Sequence, residues 1–345
     1  MPNSSMPILD SRQRPLRNLR LSVTDRCNLR CGYCMPEEHY TWLDKPQILT
    51  FEEIATLVEA FCLLGVHKLR LTGGEPLLRK DLPVLIKMIS ANPKLDDIAM
   101  TTNGVLLAEQ APLLKEAGVG RITVSLDSLR EDRFLQLSQR QKLTEVIDSL
   151  HTLRDLGFQK TKIDTVVLRG INDDELIDLV EFGKKMNAQV RFIEYMDVGG
   201  ATRWSMDKVV TKVEILERLE AHYGPCEMVG GRNSAPADCF KLPNGTVFGI
   251  ISSTTEPFCG ACDRSRITAD GTWYTCLYAR NGTDLRSPLR EGADAQTLAK
   301  LIRPNWNVRD DRGAEERLEL SQRSPLLDPA ELREDPRLEM HARGG

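Results

Sequence analysis

The chain has 345 residues and a formal net charge of −4, with 28% charged against 41% hydrophobic residues; this is the balance of a globular protein long enough to bury a full core. That charge excludes a nucleic-acid binder held by bulk electrostatics, so an anionic ligand must be met by a local cluster of arginines and lysines. No run approaches the ~18 apolar residues of a membrane span, and the polar, basic start MPNSSMPILDSRQRPLRN lacks a signal-peptide core, so neither membrane nor nucleic acid is an expected partner and the cytoplasm is the expected compartment.

The first β-rich run, Asn18–Thr24, leads into the polar stretch Asp25–Cys34. Thr50 can N-cap the helix that follows, with Glu53 completing a capping box, and Ile54, Leu57, Val58 and Phe61 form its apolar stripe. Cys62 falls on the same face and reads as core packing. Lys68–Thr72 then runs into Gly73-Gly74-Glu75-Pro76 and a helix over Leu82–Ile89. Ile98–Thr101 runs into Thr102-Asn103-Gly104 and a helix over Leu106–Ala117. Arg121–Ser125 leads into Leu126-Asp127-Ser128 and a helix over Thr144–Leu156. Lys162–Val167 leads into Arg169-Gly170 and a helix over Glu175–Met186, and Gln189–Ile193 ends at Glu194-Tyr195-Met196. Such alternation predicts a parallel sheet with helical crossovers. Six units fit better than eight, so residues 1–200 are expected to form an incomplete parallel (βα)6 TIM-like barrel, with a doubly wound sheet as the alternative. Polar and glycine-rich residues gather after every strand, at the end where such α/β folds place their sites.

Residues 201–345 are expected to form an α+β extension. Its first part, 200–255, reads as irregular with one helical stretch near Lys212–Tyr223, and the chain beyond Arg309 reads as a charged, proline-dotted tail, mobile or wrapped over the surface.

Nine cysteines in a chain without a secretory signal do not read as a disulfide framework. Six fall in two clusters, Cys27, Cys31, Cys34 and Cys259, Cys262, Cys276, while Cys62, Cys226 and Cys239 stand alone and read as ordinary thiols. Thiolates are the usual ligands of iron–sulfur clusters. Structural zinc would want a fourth ligand, and the nearest candidate to the first set, His39, is five residues on. Three cysteines on a four-iron cluster leave one iron free to bind a small molecule. After the second C-x2-C come Arg264 and Arg266, two residues apart on an extended strand and therefore projecting the same way. Guanidinium forks there would suit a phosphate chain.

The segment LRLSVTDRCNLRCGYC, followed by the Gly73-Gly74-Glu75-Pro76 loop, resembles the radical S-adenosylmethionine (SAM) superfamily. The resemblance implies a [4Fe–4S] cluster on the first triple, reductive cleavage of SAM to a 5′-deoxyadenosyl radical, and a SAM site lined by Tyr33, Gly74, Ser125 and Met196. The pattern FCGACDRSRIT…YTCLY with Leu285-Arg286, and the chain as a whole, resembles the GTP 3′,8-cyclase subgroup, which performs the first step of molybdenum cofactor biosynthesis. That resemblance implies a second [4Fe–4S] cluster on Cys259, Cys262 and Cys276, binding the guanine of GTP through its open iron. It implies abstraction of the 3′ hydrogen of GTP and closure of 3′,8-cyclo-7,8-dihydro-GTP. GTP contacts would come from Arg20, Arg70, Thr101, Lys162, Arg264 and Arg266, with Lys68 and Arg191 as weaker candidates. The same family implies a flavodoxin or ferredoxin as electron donor, cyclic pyranopterin monophosphate synthase as the downstream partner, and a homodimer. It also gives Gly344 and Gly345 a place in the site, although Arg343 stands where relatives often carry an apolar residue; its charge could pair with a phosphate or an acidic wall. A radical SAM enzyme acting on another substrate, such as a peptide, and a non-catalytic iron–sulfur carrier stay open as alternatives.

Overall fold

The computed structural model describes residues 7–230 and 234–344. Six parallel strands carry the first half of the chain: β1 (Asn18–Ser22), β2 (Lys68–Thr72), β3 (Asp97–Thr102), β4 (Arg121–Ser125), β5 (Lys162–Val167) and β6 (Gln189–Glu194). Between them run α1 (Phe51–Leu63), α2 (Leu82–Ser90), α3 (Leu107–Ala117), α4 (Glu131–Ser138), α5 (Leu143–Asp155) and α6 (Leu176–Lys185). Strand residues alternate in direction: Leu19 and Leu21 of β1, like Leu69 and Leu71 of β2, join the buried core under the helices, while Arg20 and Arg70 face the other way into a cavity. The capping box at α1 forms as the sequence requires. Thr50 Oγ1 accepts from the Glu53 amide at 3.2 Å, and a Glu53 carboxylate oxygen accepts from the Thr50 amide at 2.7 Å.

The remainder of the chain departs from expectation in one instructive way. After α7 (Lys212–Tyr223) come β7 (Glu227–Met228), β8 (Asp238–Lys241), β9 (Val247–Ile251), β10 (Arg264–Ile267), β11 (Thr272–Tyr274) and β12 (Thr283–Asp284). They extend the same sheet at both edges, giving the order β12-β11-β10-β1-β2-β3-β4-β5-β6-β9-β8-β7. Both β10 against β1 and β9 against β6 pair parallel, so the parallel run has eight strands rather than six, and the outer strands of each edge turn back as antiparallel hairpins. Residues 200–255, expected to be irregular, supply β8 and β9; the run Phe248–Ile251 is buried against β6 and β8 and reads as core once that partner strand exists.

Beyond β12 lie α8 (Arg286–Arg290), α9 (Ala295–Asn307), α10 (Gly313–Leu318) and α11 (Pro329–Glu334). Of the two expectations for the tail, a mobile segment is wrong, and the chain instead packs on the molecule and by Gly344 lies inside it. Arg309 is buried against Asp10, α10 and α11 are regular helices, and the backbone from Glu339 to Gly344 passes through the interior beside β1. Its charges misled composition, because several of its cations meet acids from other parts of the chain: Arg317 and Arg323 on Asp197, Arg337 on Asp270. Among the described residues no helix is long and apolar enough to cross a membrane.

Candidate active site

One cavity of about 500 Å3 receives the inward side chains of the parallel strands, and all six clustered cysteines open onto it. The first three sit on the loop after β1. That loop lies on the Gly73–Glu75 turn, where the Gly74 amide donates to the Thr24 carbonyl at 2.9 Å and the Glu75 amide to the Arg26 carbonyl at 2.7 Å. A Cβ on Gly74 would collide with the Arg26 carbonyl, so only glycine lets the two loops touch. Glu75 is fully buried. Its carboxylate accepts from Thr102 Oγ1 at 2.7 Å and from the amides of Leu77 at 3.0 Å and Asn103 at 2.7 Å. It thus ties the second loop to the third, and burial holds its pKa at about 7 against those bonds. Asn103 in turn bonds Asn28 at 2.7 Å and reaches Cys27 Sγ at 3.8 Å. On the far side Tyr33 donates to Asp127 at 2.6 Å.

These thiols are desolvated. Burial raises Cys27 to about 11, with Glu75 adding to the effect, and raises Cys31 and Cys34 further, helped by Asp127 and the neighbouring cysteines. Three buried thiols without a disulfide suit metal ligation, since a bound cation deprotonates them outright. Among the described residues no three His, Cys, Asp or Glu side chains close around a single ion. A tetrahedral zinc needs every sulfur about 2.3 Å from one centre, whereas a cubane gives each cysteine its own iron. His39 is exposed and does not line the cavity.

The second set is assembled differently. Cys259 and Cys262 flank the turn before β10, and Cys276 follows β11, which hairpins back on β10. Arg264 lies with its guanidinium 4.4 Å from the Phe258 ring centre and 3.6 Å from Cys262 Sγ. Burial alone would raise Cys262, but Arg264 and Arg309 outweigh it and bring the thiol down to about 7. Again the donor set fits an iron–sulfur cluster.

Parallel registry builds a cationic wall between the two sets. Asn18 stands beside Arg264 and Lys68, and Arg20 stands between Arg266 and Arg70. Arg70 donates to Thr101 Oγ1 at 2.8 Å and Thr123 Oγ1 at 3.2 Å. Next along the wall come Lys162, paired with Thr123, and Arg191, paired with Asp164. Burial, then Arg191, Arg121 and Arg70, lower the Lys162 ammonium to about 7. Crowding of like charges in a dry cavity is costly unless an anion joins them, and every one of these groups lines the cavity.

The C-terminal segment ends among these arginines. The Gly344 carbonyl accepts from Arg20 at 2.9 Å and Arg266 at 2.8 Å, and the Ala342 carbonyl accepts from Ser22 Oγ at 2.8 Å. Gly344 has φ +64°, and a Cβ there would strike Thr72 Oγ1. Arg343 meets neither a phosphate-facing surface nor an acidic wall. Its guanidinium donates to the carbonyls of Leu277, Ala279 and Arg337 and lies 4.1 Å from the Tyr274 ring centre; turned outward in this way, it leaves the backbone of Gly344 to face the cavity arginines. Gly345 lies outside the described residues.

Of the residues expected at the site, the structure therefore brings together on one cavity Cys27, Cys31, Cys34, Cys259, Cys262, Cys276, Tyr33, Gly74, Ser125, Met196, Arg20, Arg70, Thr101, Lys162, Arg264 and Arg266, along with Lys68 and Arg191. Cys226 and Cys239 stay apart, half-buried, Cys239 taking a hydrogen bond from Gln189. Sequence reasoning passed over Glu75, Asn103 and Asp127, although each stood in a loop already marked as polar and strand-terminal. Met340 and His341, which also line the cavity, had no local signal.

Comparison with known proteins agrees with this geometry. The Radical SAM superfamily model matches residues 21–183 and the Molybdenum Cofactor Synthesis C model residues 188–315. Over 98% of its length the chain is 54% identical to GTP 3′,8-cyclase 3 of Mycobacterium bovis, covering 91% of that relative. It is 44% identical to GTP 3′,8-cyclase of Xanthomonas campestris pv. campestris, with 93% and 95% covered. Among solved structures, Streptococcus suis SuiB bound to S-adenosylmethionine shares the fold with a TM-score of 0.58 at 16% identity, over 84% of this chain and 68% of that one.

Proposed function

Because this chain belongs to the GTP 3′,8-cyclase family of the radical SAM superfamily, we propose that this cavity holds SAM against the first cysteine set and GTP against the second, as the site of conversion of GTP to 3′,8-cyclo-7,8-dihydro-GTP. The observation that carries this reading is the placement of two cysteine triads on one cavity, joined by a wall of arginines and lysine. Two [4Fe–4S] clusters and SAM are the cofactors; when bound, the first cluster and SAM supply the 5′-deoxyadenosyl radical that takes the 3′ hydrogen of GTP. The protein's own residues do the rest. Tyr33, Gly74, Ser125 and Met196 shape the SAM side. Arg264 and Arg266 receive the triphosphate with Arg20, Arg70 and Lys162, while Thr101 fixes the Arg70 fork. Gly344 brings backbone to the same arginines without a side chain, which supports a part for the terminal glycines in setting the substrate's pose.

The enzyme performs the first step of molybdenum cofactor biosynthesis. Through the family, a flavodoxin- or ferredoxin-type reductant, hand-over of product to cyclic pyranopterin monophosphate synthase, a homodimer and a cytoplasmic setting belong to the same reading. A residue 1–200 barrel with a 201–345 extension remains a useful division by chemistry, although strands from both parts share one sheet. The test uses GTP deuterated at the 3′ position, with reconstituted chain, SAM and dithionite under anoxia. Deuterium should move into 5′-deoxyadenosine; label retained in the nucleotide while deoxyadenosine forms would reject the assignment.

A further inference from the structure

Behind the second cysteine loop, off the cavity, lies a buried charged cluster with no part in binding substrate. Asp10 accepts from Arg14 Nε at 2.6 Å and from an Arg309 Nη1 at 3.0 Å, and the side chains of Arg14, Arg309 and Asp10 are 2%, 1% and 0% exposed. Neither arginine lines the cavity. Both also donate to the metal-binding loop: Arg14 Nη1 gives to the Cys259 carbonyl at 2.9 Å, as well as to the Asp311 carbonyl at 2.7 Å, and Arg309 Nη1 gives to the Cys262 carbonyl at 3.0 Å. Trp306 flanks the Arg309 guanidinium, with its ring centre at 4.5 Å. The other charges in reach are Asp311, 3.3 Å from Arg309 Nε and partly solvated, Glu315, which accepts from the Gly260 amide, and Arg264 on the cavity side. Asp10 stands behind the two guanidinium heads, so positive charge sits directly on the Cys259 and Cys262 carbonyls, with the Glu315 carboxylate on the Gly260 amide between them.

Burying two cations is expensive, and Asp10 shared between them, with the partly solvated Asp311 at 3.3 Å from Arg309, does not fully repay it. Arg14 Nη2 and Arg309 Nε even lack hydrogen bonds. A thiolate-ligated cluster beyond the loop would repay it, because its charge grows by one unit on reduction and buried positive charge stabilises the reduced form. We infer that Arg14 and Arg309 are positioning residues that raise the reduction potential of the second cluster through the carbonyls of Cys259 and Cys262. This rests on the reading that Cys259, Cys262 and Cys276 hold a cluster.

The experiment is a reductive titration of the reconstituted full chain followed by electron paramagnetic resonance, with iron and sulfide counted first. The chain carrying Cys27→Ala, Cys31→Ala and Cys34→Ala assigns the second cluster's signal. Arg309→Met should lower that cluster's midpoint by a tenfold change in its one-electron equilibrium, 59 mV, and leave the first cluster's midpoint in place. Arg309→Lys, which keeps the charge, should restore most of the shift, and Arg14→Met should move the midpoint the same way as Arg309→Met. An unchanged midpoint with iron retained, or Lys and Met shifting alike, overturns the inference. Should Arg309→Met lose its second cluster, Arg14→Met decides; loss of iron from both means a purely structural clamp and also overturns it. A wild-type chain whose second triad holds no iron would instead reject the cluster reading, and the iron count shows this before any potential is measured.

Discussion

The two cysteine loops perform related chemistry in opposite surroundings. The first is compact and eight residues long, and burial is what chiefly raises its thiols, with Glu75 adding to Cys27, Asp127 to Cys31, and the neighbouring cysteines and then Glu339 to Cys34. Arg30 reaches the Cys27 carbonyl at 2.9 Å and spreads over Tyr40 and Trp42. The second spans 18 residues and is held by arginines, Arg264 in front and Arg14 and Arg309 behind. A dry pocket whose acids are themselves pushed up by burial offers an added electron little stabilisation, whereas positive surroundings welcome both the electron and an anionic ligand. On the proposed reading, the contrast separates a site that gives an electron away from a site that holds a triphosphate.

Deleting either loop breaks the comparison most severely. Reconstituted protein should carry roughly eight irons as two four-iron clusters. Replacing Cys27, Cys31 and Cys34 by alanine should halve that and abolish SAM cleavage. Replacing Cys259, Cys262 and Cys276 should also halve it and abolish cyclised product, yet leave reductive SAM cleavage measurable as 5′-deoxyadenosine. Equal loss of SAM cleavage in both chains would mean that the loops do not divide the labour.

The tail tests the cationic side next. Gly344→Ala forces a side chain into αL backbone and onto Thr72. Cyclised product should fall at least tenfold with iron content unchanged, and deletion of Gly344 and Gly345 should do the same. Normal turnover would show the segment to be a passive plug.

Arginine substitutions sharpen the picture further. Each charge-assisted bond to phosphate contributes about 1.5–3 kcal/mol, so Arg264→Ala should weaken GTP about tenfold or more without touching SAM affinity. Arg266→Ala should do this and also free the tail, because Arg266 holds the Arg343 and Gly344 carbonyls; limited proteolysis near the C-terminus reads the difference.

A smaller effect is expected with pH. Lys162 titrates at about 7 in the nucleotide-free protein, so it is charged below that value and neutral above. GTP affinity should fall severalfold between pH 6 and 8 in wild type relative to Lys162→Arg, which shares the nucleotide's own titration and stays charged. Parallel profiles for the two chains would remove Lys162 from the phosphate contacts. Least of all, Cys226→Ser and Cys239→Ser should leave iron content and turnover unchanged.

Much of this was legible beforehand, for reasons that differ between the halves. The six strands and the first loop are local: each strand is a short β-rich run, each loop follows directly, and the cysteines fall within eight residues. Five of the six helices between them were also visible, but α4 was not; it buries only Phe134, Leu137 and Ser138 and carries a mean hydrophilic face. The family resemblance supplied Tyr33, Gly74, Ser125 and Met196, which no spacing would have singled out. What failed was everything set by distant partners. β9 becomes a strand because β6 offers an edge, and the segment after Arg309 is ordered because Asp10, Asp197 and Asp270 neutralise its arginines from far away in sequence. A charged stretch looks solvated until those partners are placed.

The bond between Arg309 and Asp10 joins residues 299 apart, and it closes the second loop's backing. Synthesis proceeds from the N-terminus, and early segments begin to fold first. Strands β1–β6 and the first cysteine loop are complete by Glu194, long before Arg309 has been made. Cys276 and the Arg309 backing both arrive only after β1–β6 have been made, so the rear of the second loop is the last part of that metal site to close, and long-range loop closure sets that order.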